Sequence, residues 1–268
     1  MITRRALTRG LLASASLLAL WPRTGHADLP ADAPAPDDPG FAEYVLDRVD
    51  DVHRGRSSHA IVTMHVKTKR WEREMSMEAW SLGKEYSLIR ILAPKKERGT
   101  ATLKADKDLY TYLSKTGRTI KISGASMGGS WMGSHFTNDD LMKSSRLADD
   151  FNYSVRPGPK IDGVPTWALV LVPKPKAVVV WGRVDVMVRQ SDLLPAGQLF
   201  YDEDLKPVRK MEFFGFRRVG AYDVPMRMRM SPLGGEKEGE FTEMIYGDIE
   251  FDLDLEPSFF SLSRLETL

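Results

Sequence analysis

Ala60-Ile61-Val62-Thr63-Met64-His65-Val66-Lys67 sets the period of this chain. Ala60, Val62, Met64 and Val66 alternate with Ile61, Thr63, His65 and Lys67, and a period of two puts the first set on one face of an extended strand. The pattern continues outward. Met75, Met77 and Ala79 alternate with Ser76, Glu78 and Trp80, and similar runs lie at 86–92, 109–113, 166–172, 184–188, 211–216, 226–230 and 249–255. The separators carry turn chemistry: Ser81-Leu82-Gly83-Lys84, Lys115-Thr116-Gly117, Ile161-Asp162-Gly163, Asp202-Glu203-Asp204 and Leu233-Gly234-Gly235. About ten short strands joined by tight turns predict one large, curled antiparallel sheet. No helix-length pattern separates successive strands, which argues against a parallel α/β sheet.

Ahead of the strands, Phe41, Tyr44, Val45, Val49 and Val52 are spaced for one face of a helix over 41–53, with Gly55 just past its end. Residues 28–40 hold Pro30, Pro34, Pro36 and Pro39 among Ala and Asp and read as an extended, solvated linker. The first 27 residues read as a cleaved secretory signal: a basic opening around Arg4-Arg5, an apolar run from Gly10 to Leu20, and the small-residue site Gly25-His26-Ala27. The run is too short to span a membrane. The adjacent arginines, with Leu7 two places on, favour the twin-arginine route over an ordinary basic region.

Removing that signal leaves 34 of the 38 basic residues against all 37 acidic ones, a formal charge of −3. This is no footprint for nucleic acid or an anionic membrane surface. The chain has no cysteine, so an exported form relies on its core rather than on disulfides and offers no thiol for an N-terminal lipid. The expectation is a soluble periplasmic monomer, with residues 41–268 forming one domain.

One segment interrupts the meander. Ser130-Trp131-Met132-Gly133-Ser134-His135-Phe136-Thr137-Asn138-Asp139-Asp140-Leu141 is an apolar, glycine-loosened loop running into a helix start. Thr137 is the expected N-cap, and Asn138, Asp139 and Asp140 place negative character in the first turn of a helix reaching about Ser145. Gly124, Gly128, Gly129 and Gly133 free the backbone around Met127, Trp131 and Met132. Large apolar side chains on such a backbone suit a lid, and Met127, Trp131, Met132, Phe136 and Asp140 are its expected residues.

Catalytic patterns fail on context. Gly124-Ala125-Ser126-Met127-Gly128 matches a nucleophile elbow, but only His135 follows Ser126, with no acid between them. His59 and His65 share a strand face six residues apart, too far for neighbouring metal ligands, and no HExxH or EF-hand pattern is present. Asp202-Glu203-Asp204 reads as a charged hairpin turn, and no phosphate-cradling glycine motif follows a strand. No enzyme, metal or cofactor is expected.

What remains is apolar. The chain has 13 Met, and Trp71, Trp80, Trp131, Trp167 and Trp181 add wide surface. Taken singly, each of these residues reads as core filling, the usual place of large apolar side chains. A wide sheet with so little helix to cover it nevertheless calls for a hollow groove, and methionine suits a wall that accepts varied shapes. Met75, Met77, Trp80, Met226, Met228 and Met230 are the expected acyl-chain contacts.

The lid wording, with Trp71–Trp80 (WEREMSMEAW), Glu85–Pro94 (EYSLIRILAP), 178–182 (VVVWG), Tyr201–Asp204 (YDED) and Ser258–Ser261 (SFFS), resembles the LolA/LolB-like periplasmic outer-membrane lipoprotein-sorting proteins across roughly residues 41–268. The resemblance implies an incomplete, curled antiparallel β-barrel covered by helices, and a carrier of lipoprotein or lipid acyl chains towards the outer membrane. It also implies a possible inner-membrane partner of RND or ABC type. It supplies no established binding residue to carry over. The alternative is an adaptor subunit of an RND-type exporter of hydrophobic cargo, without cargo binding of its own.

Overall fold

The computed structural model describes residues 29–267 apart from 53, 144–149, 176 and 178. The predicted signal peptide (1–27) therefore lies outside the described residues, as does the predicted continuation of the lid helix to Ser145. Helix α1 (Phe41–Asp51) follows the expected stripe, burying Phe41, Val45 and Leu46. The segment before it is not wholly solvated, since Leu29 and Ala33 pack against the same core as α1.

Among the described residues, thirteen strands form one continuous antiparallel sheet, against about ten suggested by the sequence pattern. The first meander consists of β1 (Ser57–Lys67), β2 (Glu72–Leu82), β3 (Tyr86–Ala93), β4 (Ala101–Ala105), β5 (Asp108–Leu113) and β6 (Arg118–Lys121). The second consists of β7 (Phe151–Pro157), β8 (Thr166–Pro173), β9 (Arg183–Arg189), β10 (Pro195–Tyr201), β11 (Pro207–Val219), β12 (Tyr222–Pro232) and β13 (Phe241–Phe251). Pairing of β1 with β13 joins them, so the order is β6-β5-β4-β3-β2-β1-β13-β12-β11-β10-β9-β8-β7. The sheet is not closed into a barrel: β6 and β7 are its two edges. The chain must therefore cross from one edge to the other between residues 121 and 151, and the lid segment belongs to that crossing.

The turns obey their residues. Gly83, Gly117, Gly234 and Gly235 take positive φ, and Asp162-Gly163 (φ 49° and 79°) makes the two-residue hairpin turn between β7 and β8. β13 carries a bulge. Ala60 faces Ile249 and Val62 faces Tyr246, so one extra residue sits on β13. The inward set passes from Thr242, Met244 and Tyr246 to Ile249 and Phe251, switching parity at the bulge.

One sheet face holds two apolar clusters. Phe41, Val45 and Leu46 of α1 pack on β7–β10 through Leu169, Leu171, Val184 and Val186. The other cluster gathers Ala60, Val62, Met64, Met75, Met77 and Ile91 under Trp131. On the opposite face, Phe260 and Leu265, the latter in the C-terminal helix of Leu262–Thr267, cover Leu88, Ala101 and Leu103.

Candidate functional site

The lid segment is pinned to four strands. Trp131 Nε1 donates to Thr102 Oγ1 on β4 at 3.1 Å. Met132 and Gly133 take positive φ (51° and 70°), and the Met132 carbonyl accepts from Arg73 of β2. His135 N–H donates to Thr242 Oγ1 on β13 at 2.9 Å. Arg209 of β11 holds Asp140 through Nη2–Oδ1 (2.5 Å) and Nη1–Oδ2 (2.8 Å), and Nη1 also reaches the His135 carbonyl at 3.2 Å.

Helix α2 (Asn138–Lys143) begins as its sequence predicts. Asp140 Oδ2 accepts from Thr137 N (2.7 Å), and Asp140 N donates back to Thr137 Oγ1 (3.2 Å), a reciprocal cap in which Asp stands where Glu is usual. At its far end the buried Lys104 donates to the Met142 carbonyl at 2.9 Å, satisfying a terminal acceptor.

Between α1, the lid and the sheet lies a cavity of about 280 Å³. α1 and its C-cap contribute Val49 and Val52, the lid Trp131, Phe136 and Leu141, and the sheet Ala60, Phe213, Met228, Met230 and Met244. The expected acyl-chain residues divide. Met228 and Met230 line the cavity, on the inward side of the Met–Arg alternation. Met75, Met77 and Met226 do not; Met75 and Met77 are fully buried in the cluster that includes Trp131, and the partly buried Met226 packs against the same cluster. Trp80 borders the cavity, but its ring turns to the opposite face and stacks on His59 (5.3 Å) and near Phe259 (5.6 Å).

The lid residues divide too. Phe136 packs against both clusters and lines the cavity. Trp131 is only 4% exposed and belongs to the core as much as to the lid. Met132 packs beside it, and Asp140 lines the cavity. Met127 is partly buried, and its carbonyl accepts from Asp139 N at 2.9 Å. Ser126 lies in a 3-10 turn with its Oγ 3.1 Å from that of Ser123, not on a strand-to-helix elbow.

Sequence reasoning missed Arg209. Its guanidinium lies 4.0 Å from the Trp181 ring centre and 4.2 Å from that of Phe200, 5% exposed. The signal was available: Arg209 shares inward parity with Met211 and Phe213, where a cation needs a partner. Tyr246 and Arg54, also on the cavity wall, were missed as well. Burial pushes the Tyr246 phenol up to about 12, against the opposing pull of Arg54.

An open antiparallel sheet, a lid joining its edges and an apolar hollow beneath define the LolA-like class of fold. A family model described as an uncharacterised protein matches residues 83–267, well over half of the sequence, and the chain belongs to that family. Among solved structures, a DUF1329-family protein from Desulfovibrio piger superposes with a TM-score of 0.74 at 24% identity, covering 84% of this chain and 97% of that one. A LolA-superfamily protein from Nitrosomonas europaea gives 0.70 at 22%, covering 83% and 98%. An outer-membrane lipoprotein-sorting protein domain from Vibrio parahaemolyticus gives 0.73 at 22%, covering 84% and 99%. No curated protein matches the sequence.

Proposed function

We propose that this protein is a periplasmic carrier that shelters acyl chains of a lipoprotein or lipid beneath its lid and moves them towards the outer membrane. The observation that carries this reading is the hollow between α1 and the lid, walled by Met228, Met230, Met244, Phe136 and Phe213. Such a wall offers area without directional demands, so a chain gains about 0.8 kcal/mol per methylene transferred from water. The fold shared with lipoprotein-sorting proteins supports the same reading. This reading is one of binding rather than turnover. An inner-membrane transporter of RND or ABC type is the partner this role calls for.

The test is native mass spectrometry of the protein taken from a periplasmic extract without detergent, with identification of released lipid. Acyl-bearing mass on the folded protein supports the carrier. Ligand-free protein, together with no uptake of a fluorescent fatty-acyl probe, overturns it.

A further inference from the structure

The two edges of the sheet are not alike. β6 has four residues with Arg118 and Lys121 at its ends, a short and charged strand of the kind that resists further pairing. β7 runs for seven residues in unbroken register with β8, from Phe151 opposite Pro173 to Pro157 opposite Trp167. Gly158 N–H donates to the Thr166 carbonyl and Lys174 N–H to that of Asp150, so the even-numbered residues between them turn their backbone groups towards β8. The odd-numbered ones turn theirs away. Phe151 is buried and lines the cavity; beyond it Tyr153 and Val155 are half-buried and Pro157 is exposed. Among the described residues, nothing pairs with the outward N–H groups of Tyr153 and Val155 or the outward carbonyls of Tyr153, Val155 and Pro157. Beside this stretch α1 carries Glu43 and Asp47, whose charges reach the Tyr153 phenol. Lys84 engages Asp47 at 2.7 Å, whereas Glu43 is exposed and has no ion-pair partner among the described residues.

We infer that β7 is a docking edge for the polypeptide part of an acylated protein, an extended basic segment that adds to Tyr153–Pro157 as a further strand while its acyl chain fills the cavity. This rests on the carrier reading above and narrows the cargo from lipid in general to acylated polypeptide. An open strand edge takes an extended chain because each backbone donor and acceptor finds its complement, whatever the side chains. Position selects the occupant. The first open backbone pair, at Tyr153, lies two residues or roughly 7 Å of strand from the cavity-lining Phe151. A polypeptide tethered to a chain in the cavity therefore meets the edge at high effective concentration. Charge selects the segment. On the inner side of the added strand a lysine or arginine finds the Glu43 carboxylate, and an acid is repelled. On the outer side the mostly exposed Arg156 disfavours a second base, so basic and neutral residues in alternation fit best.

The test is calorimetric titration of the purified, delipidated protein at neutral pH with four probes of equal acyl length. These are dodecanamide, an N-dodecanoyl peptide of alternating threonine and lysine, the same peptide with its backbone nitrogens methylated, and a threonine–glutamate counterpart. The threonine–lysine lipopeptide binds about tenfold or more tighter than dodecanamide, the scale of one or two net backbone hydrogen bonds. The methylated form, with the same charge and no backbone donors, and the glutamate form both stay within about threefold of dodecanamide. Val155→Pro removes one outward donor without touching the ladder to β8. It weakens the threonine–lysine lipopeptide about threefold or more and leaves dodecanamide unchanged. Equal binding of the lipopeptide and its methylated form overturns strand addition and leaves the carrier standing. Equal binding of the glutamate form overturns the basic partner. A ligand-free dimer that Val155→Pro dissociates in sedimentation gives the edge to a second copy and overturns the proposal. Binding of none of the four probes overturns both this inference and the carrier. The comparison of probes on the unaltered protein decides the matter even where Val155→Pro fails to fold.

Discussion

Arg209 on β11 and Asp140 on α2 form a two-pronged ion pair at 2.5 and 2.8 Å, and the carboxylate that receives it also caps Thr137. One acid thus starts the lid helix and fastens it to the second meander. The Arg209 guanidinium lies against the Trp181 and Phe200 rings, and the side chains of the pair are 7% and 16% exposed. Water screens it little, and its loss leaves a buried guanidinium without its counter-charge.

Asp140→Asn should therefore cost about 3–5 kcal/mol, read from the urea midpoint. Replacing Arg209 by Met in the same chain should recover part of that loss, because the stranded charge goes with it. A fall below about 1 kcal/mol for the single change would mean that the pair behaves as a surface contact.

Neighbouring positions on β12 should respond very differently to the same substitution. Met228→Glu drives a carboxylate into the apolar cavity, at several kcal/mol in the limit of an ionised, unpartnered group (about 2–7 for a neutral polar one). Arg227 is 46% exposed on the other face, 3.6 Å from Glu243, so Arg227→Glu gives only a like-charge contact in reach of water, about 1 kcal/mol or less. Equal midpoint losses would reverse the assignment of faces.

Trp131 and Phe136 should separate folding from binding. Trp131→Ala removes a buried indole and its bond to Thr102, at about 3–5 kcal/mol in the urea midpoint. Phe136 is only partly buried and lies on the cavity wall, so Phe136→Ala should weaken uptake of a fatty-acyl probe more than it lowers the midpoint. The opposite ordering would place Phe136 in the core and Trp131 on the gate.

Alkaline stability should depend on Tyr246. Its folded-state pKa is raised to about 12, so its contribution is complete below the unfolded value near 10 and is lost as pH rises through the folded one. The loss falls between about pH 10 and 12 and is at most about 3 kcal/mol, less to the extent that the half-buried ring reaches water. Tyr246→Phe should flatten that decline in a pH series of urea midpoints. An unchanged slope would mean that the phenol is hydrated.

Export is testable from residues outside the described structure. Changing Arg4-Arg5 to Lys-Lys should leave the full-length chain in the cytoplasm if the twin-arginine route carries it. Continued appearance of product lacking the first 27 residues in the periplasm would assign the general secretory route instead.

The strands missing from the sequence reading were missed for physical reasons. β4 reads Ala-Thr-Leu-Lys-Ala, and its inward Thr102 and Lys104 are polar because they bind the lid rather than fill the core. β10 contains Pro195, Gly197 and Gln198, poor strand formers held by neighbours on both sides. The opening of β13 was hidden by its bulge, which shifts the inward set from even to odd positions and breaks the period of two. Among the expected lipid contacts, parity identified the inward face of β12 correctly. It could not say which inward methionines line the hollow and which pack into the core cluster, because both look alike along one strand.

The sequence by itself determined the local rules: extended strands from the period of two, hairpins from glycine and aspartate at their turns, and a capped helix start at Thr137. These depend on residues within a few positions of one another. Only the tertiary structure decided that β1 pairs with β13, that the sheet stays open between β6 and β7, and that Arg209 meets Asp140 across 69 positions. Those contacts close long loops, and their partners are selected by the packing of the whole sheet, which no local pattern encodes.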